Sequence, residues 1–117
     1  MRRSLSNKTS TLHAGRIVAG IARIRSYTRG MDQAAFLADQ LVCDAVAMNL
    51  MAIGESALKM SLEARALTPE IDWRDVINLR HRIAHGYDDL SFSIIWSVVA
   101  VELDALEAAA KLIVTEA

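Results

Sequence analysis

From Leu12 onward the apolar residues Leu12, Ile17, Ile21 and Ile24, with Val18 beside them, recur at helical spacing. The pattern stops at Thr28-Arg29-Gly30, where Gly30 can take the left-handed conformation that ends a helix. Asp32 can cap a short helical turn through Phe36 and Leu37. Leu41 to about Leu67 then runs without proline and is rich in Ala, Leu and Met, which predicts a long second helix with a break near Asp39. Pro69 interrupts the chain, and Asp72 ahead of Trp73-Arg74-Asp75 marks the next helix start, with a stop near Gly86-Tyr87. A last helix is expected from about Phe92 to Ile113. No strand-length stretch alternates apolar with polar residues, so the expected fold is all-α. Four main helices and a short extra helical turn should make an antiparallel bundle with short connections. Residues 1–10 are polar and read as a flexible arm ahead of a single domain over residues 11–117.

The second helix is apolar on more than one face. Leu41, Ala45, Met48 and Ala52 form one row, and Val42, Val46, Ile53 and Met60 form another. A stripe that wide predicts contact on two sides, either as the central helix of one bundle or between the bundle and a second subunit. The start of the last helix, with Ile94, Ile95, Trp96, Val98, Val99, Val101 and Leu103, favours the second subunit.

Composition sharpens that expectation. Hydrophobic residues make up 53% of the 117 residues, and the mean hydropathy is +0.24, high for a small chain with much surface to cover. No run approaches roughly 18 uninterrupted apolar residues, and Met1-Arg2-Arg3-Ser4 is not followed by a secretory apolar region, so a cytoplasmic protein without a membrane segment is expected. Cys43 stands alone and cannot close an intrachain disulfide. The net charge of −1 argues against a generally basic, nucleic-acid-coating surface. Its distribution is uneven. Residues 1–31 hold seven Lys/Arg and no acid, against six basic and fourteen acidic residues in the rest, which makes the first helix the basic face. That face can meet RNA, or it can complement acidic helices.

The densest chemistry lies in Arg80-His81-Arg82-Ile83-Ala84-His85-Gly86-Tyr87. Residues five apart on a helix differ by about 140°, so Arg80 and His85 cannot form a compact pair on one helix. Residues seven apart nearly align, which puts Asn78 in line with His85 and Arg80 in line with Tyr87. A site using both Arg80 and His85 is then a shallow cleft, most easily completed across a two-fold axis. Two His85 side chains there can act as base and acid while Arg80 stabilises a charged transition state, with no metal or cofactor required. Structural readings stay open. Arg80 and Arg82 can pair with Asp75, Asp88 or Asp89, His81 and His85 have the spacing of two metal ligands without a third, Tyr87 can be a core or interface residue, and Glu55 can form a surface ion pair with Lys59 four residues on.

Arg-x4-His-x-Tyr resembles the signature of HEPN-fold ribonucleases, in particular the HepT-like toxins. Further blocks carry the resemblance: Ile21-Ala22-Arg23-Ile24 with Tyr27-Thr28-Arg29-Gly30-Met31, Phe36-Leu37-Ala38-Asp39, Asp44-Ala45-Val46 with Asn49-Leu50 and Ile53-Gly54-Glu55, and Pro69-Glu70-Ile71-Asp72-Trp73-Arg74. The similarity spans roughly Leu12 to Leu112. It implies a HEPN bundle that forms a homodimer, an RNA cleft at the dimer interface, Arg80 and His85 as the catalytic pair, and His81, Arg82 and Asn78 in support. It also implies a minimal nucleotidyltransferase antitoxin that silences the toxin, in a type VII-like pair, by adenylylating Tyr87. His81 stands where close relatives often carry Asn, and Met48 where they often carry Arg. The lost arginine lowers the expected RNA affinity. It also favours the competing reading, a non-catalytic helical binding module that accompanies a nucleotidyltransferase.

Overall fold

Helix starts leave backbone N–H groups without partners, and the chain supplies a side-chain acceptor at five of them. A computed structural model describes residues 5–117, with side chains from Asn7 onward. Helix α1 spans Leu5–Thr28, α2 Gln33–Leu37, α3 Gln40–Lys59, α4 Leu62–Arg65, α5 Trp73–His85, α6 Phe92–Ser97 and α7 Leu103–Glu116. Asp32, Asp39, Ser61, Asp72 and Ser91 each accept a hydrogen bond from the backbone N–H three residues on, capping α2 to α6 in turn. Gly30 ends α1 with φ +75°. The described residues form no strand, and the all-α expectation holds.

Two elements depart from the pattern. Helix α1 begins at Leu5 rather than near Leu12, and Ser10 is fully buried, with its hydroxyl accepting from the Ser61 N–H at 2.9 Å. That polar anchor is invisible to an apolar count. Residues 1–4 lie outside the described residues. The long second helix ends at Lys59, because Ser61 caps a new start and Met60 turns its side chain into the core. Helices α6 and α7 are joined through a π-helical stretch, Val98–Glu102, and form one continuous rod. A wider turn holds an extra residue and rotates the helix beyond it by about 100°, so that α6 can face α2 while α7 faces α1.

The main helices lie side by side in the order α7, α1, α3, α5. Ser10 meets Ser61 and Arg23 meets Asn49, so α1 and α3 run antiparallel; Arg80 meets Glu55 and Tyr87 meets Asp44, so α3 and α5 do too. The resulting body measures 50 × 29 × 21 Å. Ile17, Ile21 and Ile24 of α1, Val46 and Ile53 of α3, and Ile95 and Ile113 fill the core, and Phe36 packs on Trp96 at 5.2 Å. Of the two rows on α3, one packs in the core, and the contact expected for the other is not made within one chain. Val46, Ile53 and Met60 are buried, whereas Leu41 is 80% and Met48 60% exposed. By length and composition α3 could cross a membrane, and half of it is buried, between α1 and α5.

Candidate active site

Helix α5 comes unusually close to α3, and Gly54 permits it. A Cβ at Gly54 would stand 2.4 Å from the Arg80 Cβ and 3.0 Å from the Val76 carbonyl oxygen, so any side chain there must push α5 away. The approach places Arg80 Nε 2.8 Å from Glu55 Oε2. Donor and acceptor are askew, and neither buried atom completes a hydrogen bond, so charge rather than a directed bond holds the pair. The Glu55 Oε1 faces Lys59 Nζ at 3.6 Å. The Glu55–Lys59 pair is therefore present, and Glu55 also pairs with Arg80, for which Asp75, Asp88 and Asp89 stood open as partners in the sequence.

Arg80 Nη1 lies 3.3 Å from His81 Nδ1. The His81 and His85 rings stack at 6.2 Å, inclined by 16°, and both side chains are exposed. Asn78 and Arg82 are exposed on the same outward side of α5 and border a groove of about 650 Å³ between α5 and the α6–α7 rod. Arg80 thus points inward to α3, and the two histidines, Asn78 and Arg82 point outward, as the helical angles require. No cluster of three or more His, Cys, Asp or Glu side chains suited to a metal gathers among the described residues.

Tyr87 sits in a single 3-10 turn, Tyr87–Asp89, just past the end of α5. Its ring packs edge-on against Phe92 at 6.0 Å, and its hydroxyl donates to Asp44 Oδ1 on α3. Gln40 Nε2 donates to the same oxygen at 2.7 Å. The bond to Asp44, reinforced by desolvation, pushes the phenol up to about 12. A raised phenol pKa contributes stability in full below its unfolded value near 10, and that contribution fades as pH climbs through about 12. In an absorbance titration of tyrosinate, one of the two tyrosines should ionise near pH 12, and Asp44→Asn should move it toward 10. An unmoved transition would break the assignment of the bond as its cause.

Sequence reasoning singled out Arg80, His81, Arg82, Asn78, His85 and Tyr87 but missed the α3 side of the site: Gly54, Glu55 as the partner of Arg80, and Asp44 as the partner of Tyr87. One signal was available. A glycine beside a carboxylate inside an otherwise apolar helix marks a close approach and a buried charge waiting for its counterion.

An antiparallel helical layer that presents an Arg-x4-His-x-Tyr segment at its edge defines a HEPN-type protein. The profile of the family described as "Ribonuclease HepT-like" matches residues 17–113, and the chain belongs to that family. The protein named "Probable ribonuclease HepT" in Thermococcus cleftensis is 29% identical over 91 residues, covering 78% of this chain and 83% of that protein. A protein with a provisional RNase name in Caldanaerobacter subterraneus subsp. tengcongensis is 26% identical over 83 residues, 71% of this chain and 74% of its own. Another such protein, in Methanocaldococcus jannaschii, is 28% identical over 83 residues, 71% and 69%. No solved structure gives a significant match.

Proposed function

We propose that the protein is the toxin of a HEPN/nucleotidyltransferase toxin–antitoxin pair, a metal-independent endoribonuclease acting as a homodimer in the cytoplasm. Membership of a ribonuclease family carries this reading, and the exposed His85 on the same helix as the Arg80 guanidinium supplies the chemistry it needs. Uncovered apolar surface supports the dimer. Val101 is 76% and Ile94 45% exposed on the wall of the groove that Asn78 and Arg82 also line, so a copy seated there would bring two motif helices together.

In such a cleft a neutral His85 takes the proton of the RNA 2′-hydroxyl, and the 2′-oxygen bonds to phosphorus. The P–O5′ bond breaks, and the protonated His85 of the partner subunit returns a proton to the leaving 5′-oxygen. Arg80 offsets the charge that develops on the phosphoryl oxygens. The products are a 2′,3′-cyclic phosphate and a 5′-hydroxyl. Purified protein should therefore cleave labelled RNA in EDTA and leave those ends; 3′-hydroxyl ends, or cleavage that EDTA stops, would sink the mechanism.

Silencing is assigned to Tyr87. Its oxygen would attack the α-phosphorus of ATP held by the nucleotidyltransferase, pyrophosphate would leave, and the phenol proton would pass to Asp44, already bonded to it. With the phenol at about 12 and hence protonated at neutral pH, that acceptor matters. Intact mass after incubation with partner and ATP should show added AMP on the wild type and none on Tyr87→Phe, with Asp44→Asn slowed by about 10²-fold or more. AMP retained on Tyr87→Phe would move the modification elsewhere.

The second reading, a non-catalytic docking module for a nucleotidyltransferase, draws on the tie between Arg80 and Glu55 and on the acidic rim of the groove at Glu70, Asp72, Asp75 and Glu102.

A further inference from the structure

Beside Glu55, on the side of α3 that faces α1, the two helices enclose a second cleft of about 360 Å³. Arg16, Arg23 and Lys59 line it with Glu55, Ser56 and His13. Three cations against one carboxylate leave it electropositive, and that carboxylate is already in contact with Arg80 and Lys59. Arg23 is braced by Asn49 at 2.8 Å, whereas Arg16 makes no ion pair among the described residues. His13 is only 6% exposed, and its Nδ1 is buried without a hydrogen-bond partner. That nitrogen is closed off from the cleft, so the imidazole is part of its wall, and Arg16, Arg23 and Lys59 supply the groups that a ligand could meet.

We infer that this α1/α3 cleft is a phosphate subsite that holds the sugar–phosphate backbone of the RNA beside Arg80, with Arg16 and Lys59 as its charge contacts. Glu55 joins the two sites, since one of its oxygens faces Arg80 and the other Lys59. Burial, and then the charges of Arg16 and Lys59, lowers the His13 pKa, in keeping with the cationic surroundings of the cleft. The inference rests on the RNA-cleaving reading for its choice of ligand. It also gives the basic first helix a task that the motif helix cannot perform, because the motif helix offers no comparable cluster of cations in a cleft.

The test uses the full chain and an RNA oligonucleotide methylated at every 2′-oxygen, which binds without being cut. Arg16→Ala/Lys59→Ala should weaken binding about tenfold or more and flatten the salt dependence by roughly 1.4 in slope, the loss of two single-strand phosphate contacts. Arg74→Ala/Lys111→Ala, which removes the same charge elsewhere, should change binding by less than about twofold. Equal loss in both double variants would overturn the subsite, leaving only net charge. Inorganic phosphate is then titrated while the His13 imidazole is followed by NMR. Shifts in wild type that vanish in Arg16→Ala/Lys59→Ala support an anion in the cleft beside His13, and such shifts with RNA binding unaffected would make this a site for free phosphate and overturn the RNA assignment. Cleavage of unmethylated RNA separates the two readings. Binding that needs Arg16 and Lys59 without cleavage would keep the subsite and lose the nuclease, and cleavage with binding indifferent to them would do the reverse.

Discussion

His85→Ala should lower RNA cleavage by about 10²–10⁴-fold, the range for a positioned acid–base group, and leave the helical fold unchanged. His85 is exposed, stacks only on His81 and contributes nothing to the core, so its removal leaves no cavity and no unpaired buried group. A dimer containing one wild-type and one His85→Ala subunit distinguishes the proposed division of labour from two independent sites. If one imidazole is base and the other acid, the mixed dimer should be nearly as inactive as the doubly substituted one. Half the wild-type rate would show instead that each subunit works alone. Arg80→Ala should cost as much cleavage but behave differently in stability, because it leaves Glu55 Oε2 buried beside α5 without its counterion.

Gly54→Ala should destabilise the fold by about 1–3 kcal/mol, the usual cost of overpacking, even though alanine is the better helix former. The added methyl would overlap the Arg80 Cβ and crowd the Val76 carbonyl, neither of which is the free end of a flexible side chain. Helix α5 must move outward and carry Arg80 with it, and, if Arg80 has its proposed role, a displacement of about 1 Å can cost about 10²-fold in rate. Gly15→Ala is the matched control. Nothing lies within 4 Å of its Cβ position, so it should stabilise α1 by about 0.5–1 kcal/mol. Thermal unfolding of the two variants should shift in opposite directions, and a neutral or stabilising Gly54→Ala would show that α3 and α5 have room to spare at their contact.

The helices were legible because their signals are local. Gly30, Asp32 and Asp72 act on their own neighbours within four residues, and each does in the fold what its chemistry suggests. The helical angle aligned Arg80 with Tyr87, and both side chains reach α3, but Tyr87 does so from a 3-10 turn past the end of α5, where that angle no longer applies. The facing partners were not legible in the same way. Asp44 lies 43 residues from Tyr87, and nothing within the helix distinguishes it from a solvated carboxylate. Ser10 looked like part of a polar arm because its anchor, Ser61, is 51 residues away. The end of α3 at Lys59 was missed for a related reason: helix propensity favours continuing through Ser61, and the cap with its tertiary hydrogen bond decides otherwise.

The order of the layer has a kinetic consequence. Helix α5 lies at its edge and is held chiefly by α3, whereas α1 and α3 each have neighbours on two sides. Edge elements of this kind open as separate cooperative units at a lower free energy than the whole domain. The segment that carries Arg80 and His85 is therefore, like α7 at the other edge, open to local detachment, and its backbone amides should exchange with solvent while those in the middle of α3 remain protected.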